Sequence, residues 1–417
     1  MANSYLTRTP SSGGNRKIFT ISVWLKRSDI QNIQRIMTAS DNSTIDDFLR
    51  FDANGAIKFG FNNANVLVST ALHRDTSAWY HVVLAVDTTQ STNSNRVKLY
   101  VNGTQLTNFS TETYPALNTT GGFNHTIPQN IGVTNPTALS QFYNGYMSHV
   151  ALVDGQALAP TVFGETDSTS GIWKFKSPSG VTWGTNGFHL KFENSGALGT
   201  DSSGNSNTFT VNGNLKQALD TPSNVYATLN PLDGLPSGSG GGSSVVYSNG
   251  NTRSDSRNGS GEYPLCRANI FVNSGKWYWE TKVDTSGIGI ASGVMSADMN
   301  NGDFRGGEWI YGAGFSGHDS GTGFQKYDNS GTITISNVSN SGGIIGHALD
   351  LDNGTHSIYL NGVLEGTDTT LPSDNSVYLF PVSMGTFSGS NSWSPISFNF
   401  GNGYFGTTAI TSAGSNG

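Results

Sequence analysis

Charged side chains, cysteine and long apolar runs are all scarce in this sequence, and each scarcity excludes a class of protein. Only 12% of the 417 residues are charged, and the 22 Lys and Arg residues form no cluster, so a nucleic-acid interface is not expected. No apolar run approaches the ~18 residues of a membrane-spanning helix, so no membrane span is expected. The single cysteine, Cys266, cannot form an internal disulfide, and we expect it to be a small buried hydrophobe on a strand.

The N-terminal segment is also short of apolar residues. Residues 1–9 are polar and lack the run of ~7–15 apolar residues that marks a secretory signal peptide. Because cysteine is nearly absent as well, we expect the protein to be made in a cytoplasm and to fold without oxidative cross-links.

Glycine, serine, threonine and asparagine take the place that lysine and glutamate have in most proteins. The sequence has 53 Gly residues, and all four residue types have low helix propensity and are common in tight turns. Aromatic residues (11% of the chain) and β-branched residues recur in short runs between these turns. The pattern predicts an all-β chain, and its length is sufficient for two hydrophobic cores.

A first set of strand signals occupies residues 1–165. The run 19–26 alternates apolar and polar residues at period two, and the strongest strand signal is WYHVVLAVD at residues 79–87. Asn102-Gly103 lies between two strand-like runs and predicts a hairpin, because both central residues of a type I′ turn need positive φ. These signals predict one β-sandwich.

A second set of strand signals occupies residues 245–405. The run 276–283 is aromatic and alternating, and Asn361-Gly362 repeats the hairpin signal of the first module. Residues 234–244 are mostly Gly and Ser, which predicts a flexible linker. Residues 406–417 are small and polar, and we expect them to form a tail.

The order of these motifs resembles two known families of β-sandwich domain. In the first module, WYHVVLAVD, KLYVNG and YNGYMSHVALVDGQAL follow the order of laminin-G-like jelly rolls of the concanavalin A type. In the second, SGKWYWE, IGHALDLDNGTHSIYLNG, LFPV and ISFNFG resemble a SPRY domain. The resemblance implies an all-β fold of two antiparallel concanavalin-A-like and SPRY-type β-sandwiches, or jelly rolls, joined by the Gly/Ser linker.

Further segments are similar to virion structural proteins of marine tailed bacteriophages. They are YLTRTPSSGGNRKIFTISVWLKRS, ALVDGQALAPTVFGE, WGTNGFHLKFEN, DSSGNSNTFT and DTPSNVYATLNPLDG. The resemblance implies a tail fibre or similar appendage of the virion that binds other virion subunits and a host surface glycan. It also implies a homo-oligomer, by analogy a trimer, because multiplied contacts raise avidity. The alternatives are a capsid decoration or head-fibre protein and a polysaccharide-degrading enzyme of the concanavalin-like fold.

Relatives of the first module begin with an additional strand before the segment that matches residues 5–10, and this sequence begins almost at that point. An open sheet edge is costly because its N–H and C=O groups lack partners. We therefore hypothesise that the strand-like run 187–192, or a neighbouring subunit, pairs with the first sheet. On this interpretation the connecting region, residues 166–233, completes the first sandwich.

No strand-like run of the sequence has the Glu-x-Asp-x-Glu character that an enzyme of this fold would need. Retaining glycoside hydrolysis uses two carboxylates about 5 Å apart, which on a strand requires acids two or four residues apart on one face. The best candidate, Glu280, has its nearest acid, Asp284, four positions away, with no acid between them. The eight histidines show no metal-type pairing, and no nucleophile elbow is visible. We predict that the protein is not an enzyme, has no catalytic residues and needs no cofactor.

One turn offers the oxygen ligands that a hard cation prefers. Asp201, Asn205 and Asn207 alternate along the glycine-containing turn DSSGNSN, as ligands of a Ca²⁺ site do. The alternative is an Asx turn that bonds its own backbone.

Aromatic residues of the second module are candidates for glycan binding. Trp309, Tyr311 and Trp393 have the ring faces on which sugars stack, with Asn and Gly nearby for hydrogen bonds. The alternative is that these rings belong to the core of the sandwich.

Overall fold

The computed structural model describes most of the first half of the chain and parts of the second. The described residues are 4–135, 137, 139–232, 244–257, 265–283, 290–296, 314–315, 326–327, 343–369, 371, 373–374, 378–385, 393–405 and 408–409. Contacts divide the chain into two compact units, residues 1–225 and 226–417. Within the described ranges the helices are two short 3₁₀ turns, Asn93–Asn95 and Pro160–Val162, so the protein is all-β as predicted.

The first unit contains two antiparallel sheets and one hairpin. Its strands are β1 (Tyr5–Arg8), β2 (Ile18–Arg27), β3 (Gln34–Ser40), β4 (Asp46–Phe51), β5 (Ala56–Phe61), β6 (Ala64–Leu72), β7 (Trp79–Asp87), β8 (Val97–Val101), β9 (Thr104–Gln105), β10 (Phe109–Glu112), β11 (Gln129–Ile131), β12 (Gly145–Asp154), β13 (Gly164–Thr166), β14 (Trp173–Phe175), β15 (Phe188–Leu190) and β16 (Thr210–Asn212). The eight-stranded sheet has the order β10-β6-β5-β4-β3-β11-β1-β16 and the six-stranded sheet the order β15-β12-β2-β7-β8-β9. Strands β13 and β14 form the hairpin.

Strand β2 shows why the two sheets form a sandwich. Its alternate residues Phe19, Ile21, Val23 and Leu25 are fully buried in one hydrophobic cluster, which also contains Phe59 of the eight-stranded sheet. Because side chains alternate between the faces of a strand, a period-two apolar pattern gives the sheet one face that must be covered. Burial of each such Leu or Phe side chain stabilises the fold by about 1.5–3 kcal/mol relative to leaving it exposed.

The outward face of the six-stranded sheet is covered as well. Val83, Ala151 and Val153 on this face pack in a second buried cluster with Phe163 and the partly buried Trp183. The cover therefore comes from the chain that follows β12.

The connecting region adds a strand to each sheet of the first unit. Strand β15 pairs antiparallel with β12, with His189 opposite Ala151, at the edge of the six-stranded sheet. Strand β16 pairs antiparallel with β1, with Val211 opposite Leu6, at the edge of the eight-stranded sheet. Part of the run 187–192 thus pairs with a sheet of the first unit, as the hypothesis requires.

The second unit also contains two larger antiparallel sheets. Its strands are β17 (Ser244–Ser248), β18 (Arg253–Arg257), β19 (Leu265–Arg267), β20 (Lys276–Val283), β21 (Ile290–Ser296), β22 (Gly314–Phe315), β23 (Lys326–Tyr327), β24 (Ile344–Asp350), β25 (Thr355–Leu360), β26 (Val363–Asp368), β27 (Leu379–Gly385), β28 (Trp393–Asn399), β29 (Tyr404–Phe405) and β30 (Thr408–Ala409). The seven-stranded sheet has the order β17-β18-β28-β20-β24-β25-β26 and the three-stranded sheet the order β19-β27-β21. One buried cluster joins Trp279 and Phe398 of the larger sheet to Leu379 and Cys266 of the smaller one, so Cys266 is a buried strand residue as expected.

Residues 226–232 belong to the second unit, so the predicted connecting region of residues 166–233 is divided between the units. Leu229 is fully buried in the hydrophobic cluster of the second unit. Its neighbour Thr228 exchanges hydrogen bonds with Asn269 through both backbone and side chain. Burial of one leucine and these paired polar groups fix the segment to the unit that follows it.

Candidate functional site

The predicted aromatic glycan site lies largely outside the described residues. Trp309 and Tyr311 lie outside these residues. Trp393 begins β28 and stands opposite Arg257, but only its backbone is described. Glycan binding by these three rings stays a prediction.

In the predicted calcium-binding turn both carboxylate oxygens of Asp201 accept hydrogen bonds from within the protein. Asp201 Oδ1 accepts from the backbone N–H groups of His189 and Ser203, at 2.9 and 2.8 Å. Asp201 Oδ2 accepts from the Ser203 hydroxyl and from the N–H of Asn207, each at 2.8 Å. The side-chain amides of Asn205 and Asn207 donate to backbone carbonyls. The bond from the Ser203 N–H to Asp201 Oδ1 is that of an Asx turn. No group of three or more His, Cys, Asp or Glu residues that could hold a metal occurs in the described ranges. Calcium binding by Asp201, Asn205 and Asn207 stays a prediction.

A buried serine–histidine pair in the first unit is the arrangement most similar to hydrolytic machinery. Ser22 Oγ lies 2.8 Å from His81 Nε2, and Trp173 Nε1 lies 3.0 Å from His81 Nδ1. An indole N–H only donates, so a neutral His81 accepts at Nδ1 and carries its proton on Nε2. Nε2 therefore donates to Ser22, whereas a general base must accept from the serine. Burial lowers the pKa of His81 to about 3, which keeps the ring neutral.

Replacing Trp173 by alanine is expected to raise the pKa of His81 from about 3 toward the ordinary histidine range. The substitution removes the ring that covers His81 at 6.0 Å and so readmits water. Titration of the His81 ring protons by NMR measures the change. Trp183→Ala is the matched control, because Trp183 stacks on His189 at 5.6 Å. An unchanged His81 pKa in the Trp173 variant would contradict this account.

The second unit buries a similar network around His347. Its Nε2 lies 3.1 Å from Ser292 Oγ and 3.4 Å from Thr281 Oγ1, and its Nδ1 lies 3.3 Å from His356 Nε2. Both histidine rings are fully buried, and burial places the pKa of His347 well below the ordinary value. A substrate cannot reach these atoms in the folded state, so the network satisfies polar groups of the core.

An accessible carboxylate lies on the outer face of the seven-stranded sheet. Glu280 Oε1 accepts from the Tyr278 hydroxyl at 3.1 Å, and Oε2 accepts from the Asn399 side-chain amide at 2.9 Å. Trp279, between Tyr278 and Glu280, is buried, so alternation directs its two neighbours away from the core. Glu280 and Tyr278 are both partly exposed.

Cross-strand register assembles the residues around this carboxylate. Across β28, β20, β24 and β25 the facing residues are Asn399, Glu280, Gly346 and Tyr359. Gly346 makes room for the phenol, because a Cβ there would lie 2.5 Å from Tyr278 Oη. We refer to Tyr278, Glu280, Gly346, Tyr359 and Asn399 as the Glu280 face.

The electrostatics of the Glu280 face favour a fixed hydrogen-bond acceptor. Burial, and then the charge of Glu280, raise the pKa of Tyr278, so its phenol stays a donor. A carboxylate offers roughly four acceptor positions. Tyr278 and Asn399 occupy one on each oxygen, so among the described residues each oxygen has capacity for a further donor.

An exposed aromatic pair lies elsewhere in the second unit. Phe271 and Tyr378 pack edge to face with ring centroids 5.3 Å apart, and they are 51% and 46% exposed. Hydrogen bonds between Val272 and Leu379 in both directions hold the pair together. Exposed rings of this kind are platforms on which sugars stack.

The sequence indicated Glu280 but not its surroundings. The spacing of Tyr278 and Glu280 places both on one face of a strand and was a usable signal. Asn399, Gly346 and Tyr359 come from strands far along the chain, so only the register shows that they are neighbours. Asp284, the other acid considered for catalysis, lies outside the described residues.

Comparison with known proteins gives one family match in the first unit. Residues 2–162 match the family described as the Concanavalin A-like lectin/glucanases superfamily. No curated protein matches the sequence. None of the helices in the described part of the chain has the length and hydropathy to cross a membrane.

Solved structures similar to this chain include three with low identity. Stonustoxin has 18% identity and a TM-score of 0.30, covering 42% of this chain and 27% of its own. The PSpry domain of TRIM65 has 18% identity and a TM-score of 0.31, covering 42% of this chain and 92% of its own. The SPRY domain of human HERC1 has 20% identity and a TM-score of 0.27, covering 38% of this chain and 96% of its own. The chain thus spans about a quarter of the length of stonustoxin.

The sheets and the family match agree on the fold class. The sequence predicted two sandwiches, and each unit has antiparallel sheets that pack around a core of its own. The chain is an all-β protein of antiparallel jelly-roll sandwiches, of the concanavalin-A-like type over residues 2–162.

Proposed function

We propose that this chain is a non-enzymatic binding protein and that the Glu280 face is its glycan-binding site. The observation that carries the proposal is a partly exposed carboxylate held in place by Tyr278 and Asn399. Sugar hydroxyls are the donors that such an acceptor binds, and tyrosine rings supply apolar contact. The match of residues 2–162 to a lectin and glucanase superfamily supports a carbohydrate-related role.

Binding of the full chain to a panel of bacterial surface polysaccharides tests the proposal. For a glycan that binds, Glu280→Gln is expected to weaken binding about 10- to 100-fold, because a hydrogen bond to a charged group contributes about 1.5–3 kcal/mol. Gly346→Ala is expected to weaken it as well, because its Cβ displaces the Tyr278 hydroxyl. Calorimetry of the purified variants measures both effects.

Glu193→Gln is the matched control, because Glu193 is an exposed glutamate of the first unit. It is expected to bind the glycan as tightly as the unmodified chain. Equal loss in the control and in Glu280→Gln, or no loss in either, would place the site elsewhere. In that case Phe271→Ala tests the exposed aromatic pair.

We further propose that the protein is a virion structural protein of a tailed bacteriophage, in a tail fibre or similar appendage. The support is the resemblance of segments such as WGTNGFHLKFEN and DTPSNVYATLNPLDG to such proteins. Gold-labelled antibody against the chain, imaged on particles, is expected to mark an appendage. Label over the shell would favour a capsid decoration or head-fibre protein instead. Light scattering of the purified chain tests the proposed trimer.

A polysaccharide-degrading enzyme is the second candidate function, because the matched superfamily includes glucanases. The same panel of polysaccharides, incubated with the full chain, is expected to keep its chain length. Shortening of the glycan that is lost in Glu280→Gln would overturn the non-enzymatic assignment.

A further inference from the structure

An arginine lies in the interior at one end of the first sandwich. Arg27 is the last inward-facing residue of β2, continuing the alternation of Val23 and Leu25, and its side chain is fully buried. Its guanidinium carbon lies 4.3 Å over the ring of Phe51, and its Nη1 donates to the backbone carbonyl of His73 at 2.7 Å. Burial lowers the pKa of Arg27, but a guanidinium remains charged in proteins. The core therefore contains a permanent cation.

The remaining nitrogens of Arg27 form one edge of the guanidinium. Nε and Nη2 have no hydrogen-bond partner among the described residues. Their N–H bonds point to the same side of the planar group and run parallel, which is the geometry that binds two oxygens of one carboxylate, phosphate or sulfate.

Two neighbours of Phe51 have unpartnered polar atoms as well. Gln34 stands opposite Phe51 across β3 and β4, is fully buried, and has neither its amide nitrogen nor its amide oxygen in a hydrogen bond within the described ranges. His73 is 8% exposed, and its ring lies 6.5 Å from that of Phe51. Its Nδ1 also has no hydrogen-bond partner among the described residues. Three buried side chains around one ring thus present polar atoms that require partners.

A second buried arginine shows how this protein pairs such a group when an anion of its own is available. Arg35 lies over the ring of Phe48 at 4.1 Å, much as Arg27 lies over Phe51. Both Nη atoms of Arg35 donate to Asp46, and Nε donates to Gln141. Arg27 has no carboxylate within ion-pair distance among the described residues. Asp29 acts on Arg27 only from beyond ion-pair distance. A buried charge without an ion pair is strongly unfavourable, so an anion bound at this edge would stabilise it.

We propose that the end of the first sandwich at Arg27, Gln34 and His73 is a binding site for a small oxyanion with two oxygens on one centre. The Nε and Nη2 edge of Arg27 binds the anion in bidentate fashion. Because the side chains are buried, the anion is enclosed and acts as a structural ligand that stabilises the first unit.

Thermal unfolding of the full chain in sulfate, phosphate, acetate or chloride at equal ionic strength tests the site. Hydrogen exchange of β2 amides follows the unfolding of the first unit. Its midpoint temperature is expected to rise with oxyanion concentration and then to reach a plateau. At about 100-fold excess over the dissociation constant the rise is expected to be about 5–10 °C above chloride. Acetate against sulfate and phosphate distinguishes a carboxylate from a tetrahedral anion.

Arg27→Met is expected to abolish the oxyanion-dependent rise, whereas Arg35→Met, the matched buried arginine, is expected to retain it. Should Arg27→Met fail to fold, a crystal structure of the unmodified protein with selenate decides the question. Anomalous density against Nε and Nη2 of Arg27 is the expected result. Transitions that are equal in all four salts, or water alone at this edge in the selenate crystal, would overturn the proposal.

Discussion

Replacing Asp220 by alanine is expected to lower the free energy of unfolding of the first unit by about 3–5 kcal/mol. Asp220 Oδ2 lies 2.7 Å from Lys26 Nζ, and both side chains are only 1% exposed. Asp220 Oδ1 also accepts from Trp79 Nε1 at 2.9 Å. Without the carboxylate, a buried ammonium loses its ion pair and a buried indole N–H loses this acceptor. Urea unfolding, followed by hydrogen exchange of β2 amides, measures the loss.

Two further variants separate the unpaired charge from lost packing. The double variant Lys26→Met with Asp220→Leu is expected to recover most of the stability, because apolar residues of similar volume replace buried ion pairs well. Glu193→Ala, which removes a surface pair with Lys191 at 3.8 Å, is expected to cost about 0–1 kcal/mol. A double variant no more stable than Asp220→Ala would show that the pair is not the cause.

Acidification from pH 6.5 to 4.5 is expected to destabilise the first unit steeply. Burial lowers the pKa of His81 and His149 to about 3 and that of His189 to about 4, whereas the unfolded chain binds these protons near pH 6.5. Burial also raises the pKa of Asp47 to about 7, so folding binds one extra proton there and opposes the trend. Counted over these four groups, the unfolded state binds about two more protons in this window, and the pKa of His73, which burial lowers, acts in the same direction.

Stability should accordingly fall by about 3 kcal/mol for each pH unit within the window. Removal of the opposing group in Asp47→Asn is expected to steepen the slope to about 4 kcal/mol per unit. His149→Asn is expected to reduce it to about 1.4 kcal/mol per unit. Hydrogen exchange of β7 amides as a function of pH measures these slopes. The idea fails if the unmodified protein shows no slope or if Asp47→Asn makes it shallower.

Hairpin positions followed from the sequence alone. Both Asn-Gly pairs, at residues 102–103 and 361–362, have positive φ at each residue, as a type I′ turn requires. Strands β7 and β20 begin and end where the strand-like runs 79–87 and 276–283 do. These features depend on neighbouring residues, whose preferences a sequence displays directly.

Contacts between distant residues were not predictable in the same way. Lys26 ends an alternating run and looks like an ordinary solvent-facing lysine, yet it is buried against Asp220, 194 positions away. The Glu280 face has the same origin, because Asn399 lies 119 positions from Glu280. Sequence periodicity shows which face of a strand a residue is on, but not which strand lies beside it.

The sequence by itself determined that this protein is all-β and where its hairpins lie, whereas the pairing of residues 187–192 with the first sandwich was expected from a resemblance to known relatives. Alternation and turn chemistry act over a few residues and are therefore visible in the sequence. Only the tertiary structure decided that Glu280 is held by Tyr278 and Asn399, and that Arg27 and Lys26 are buried. These environments arise from strand register and from the chain segments that pack over the sheets, which bring together residues that no local pattern relates.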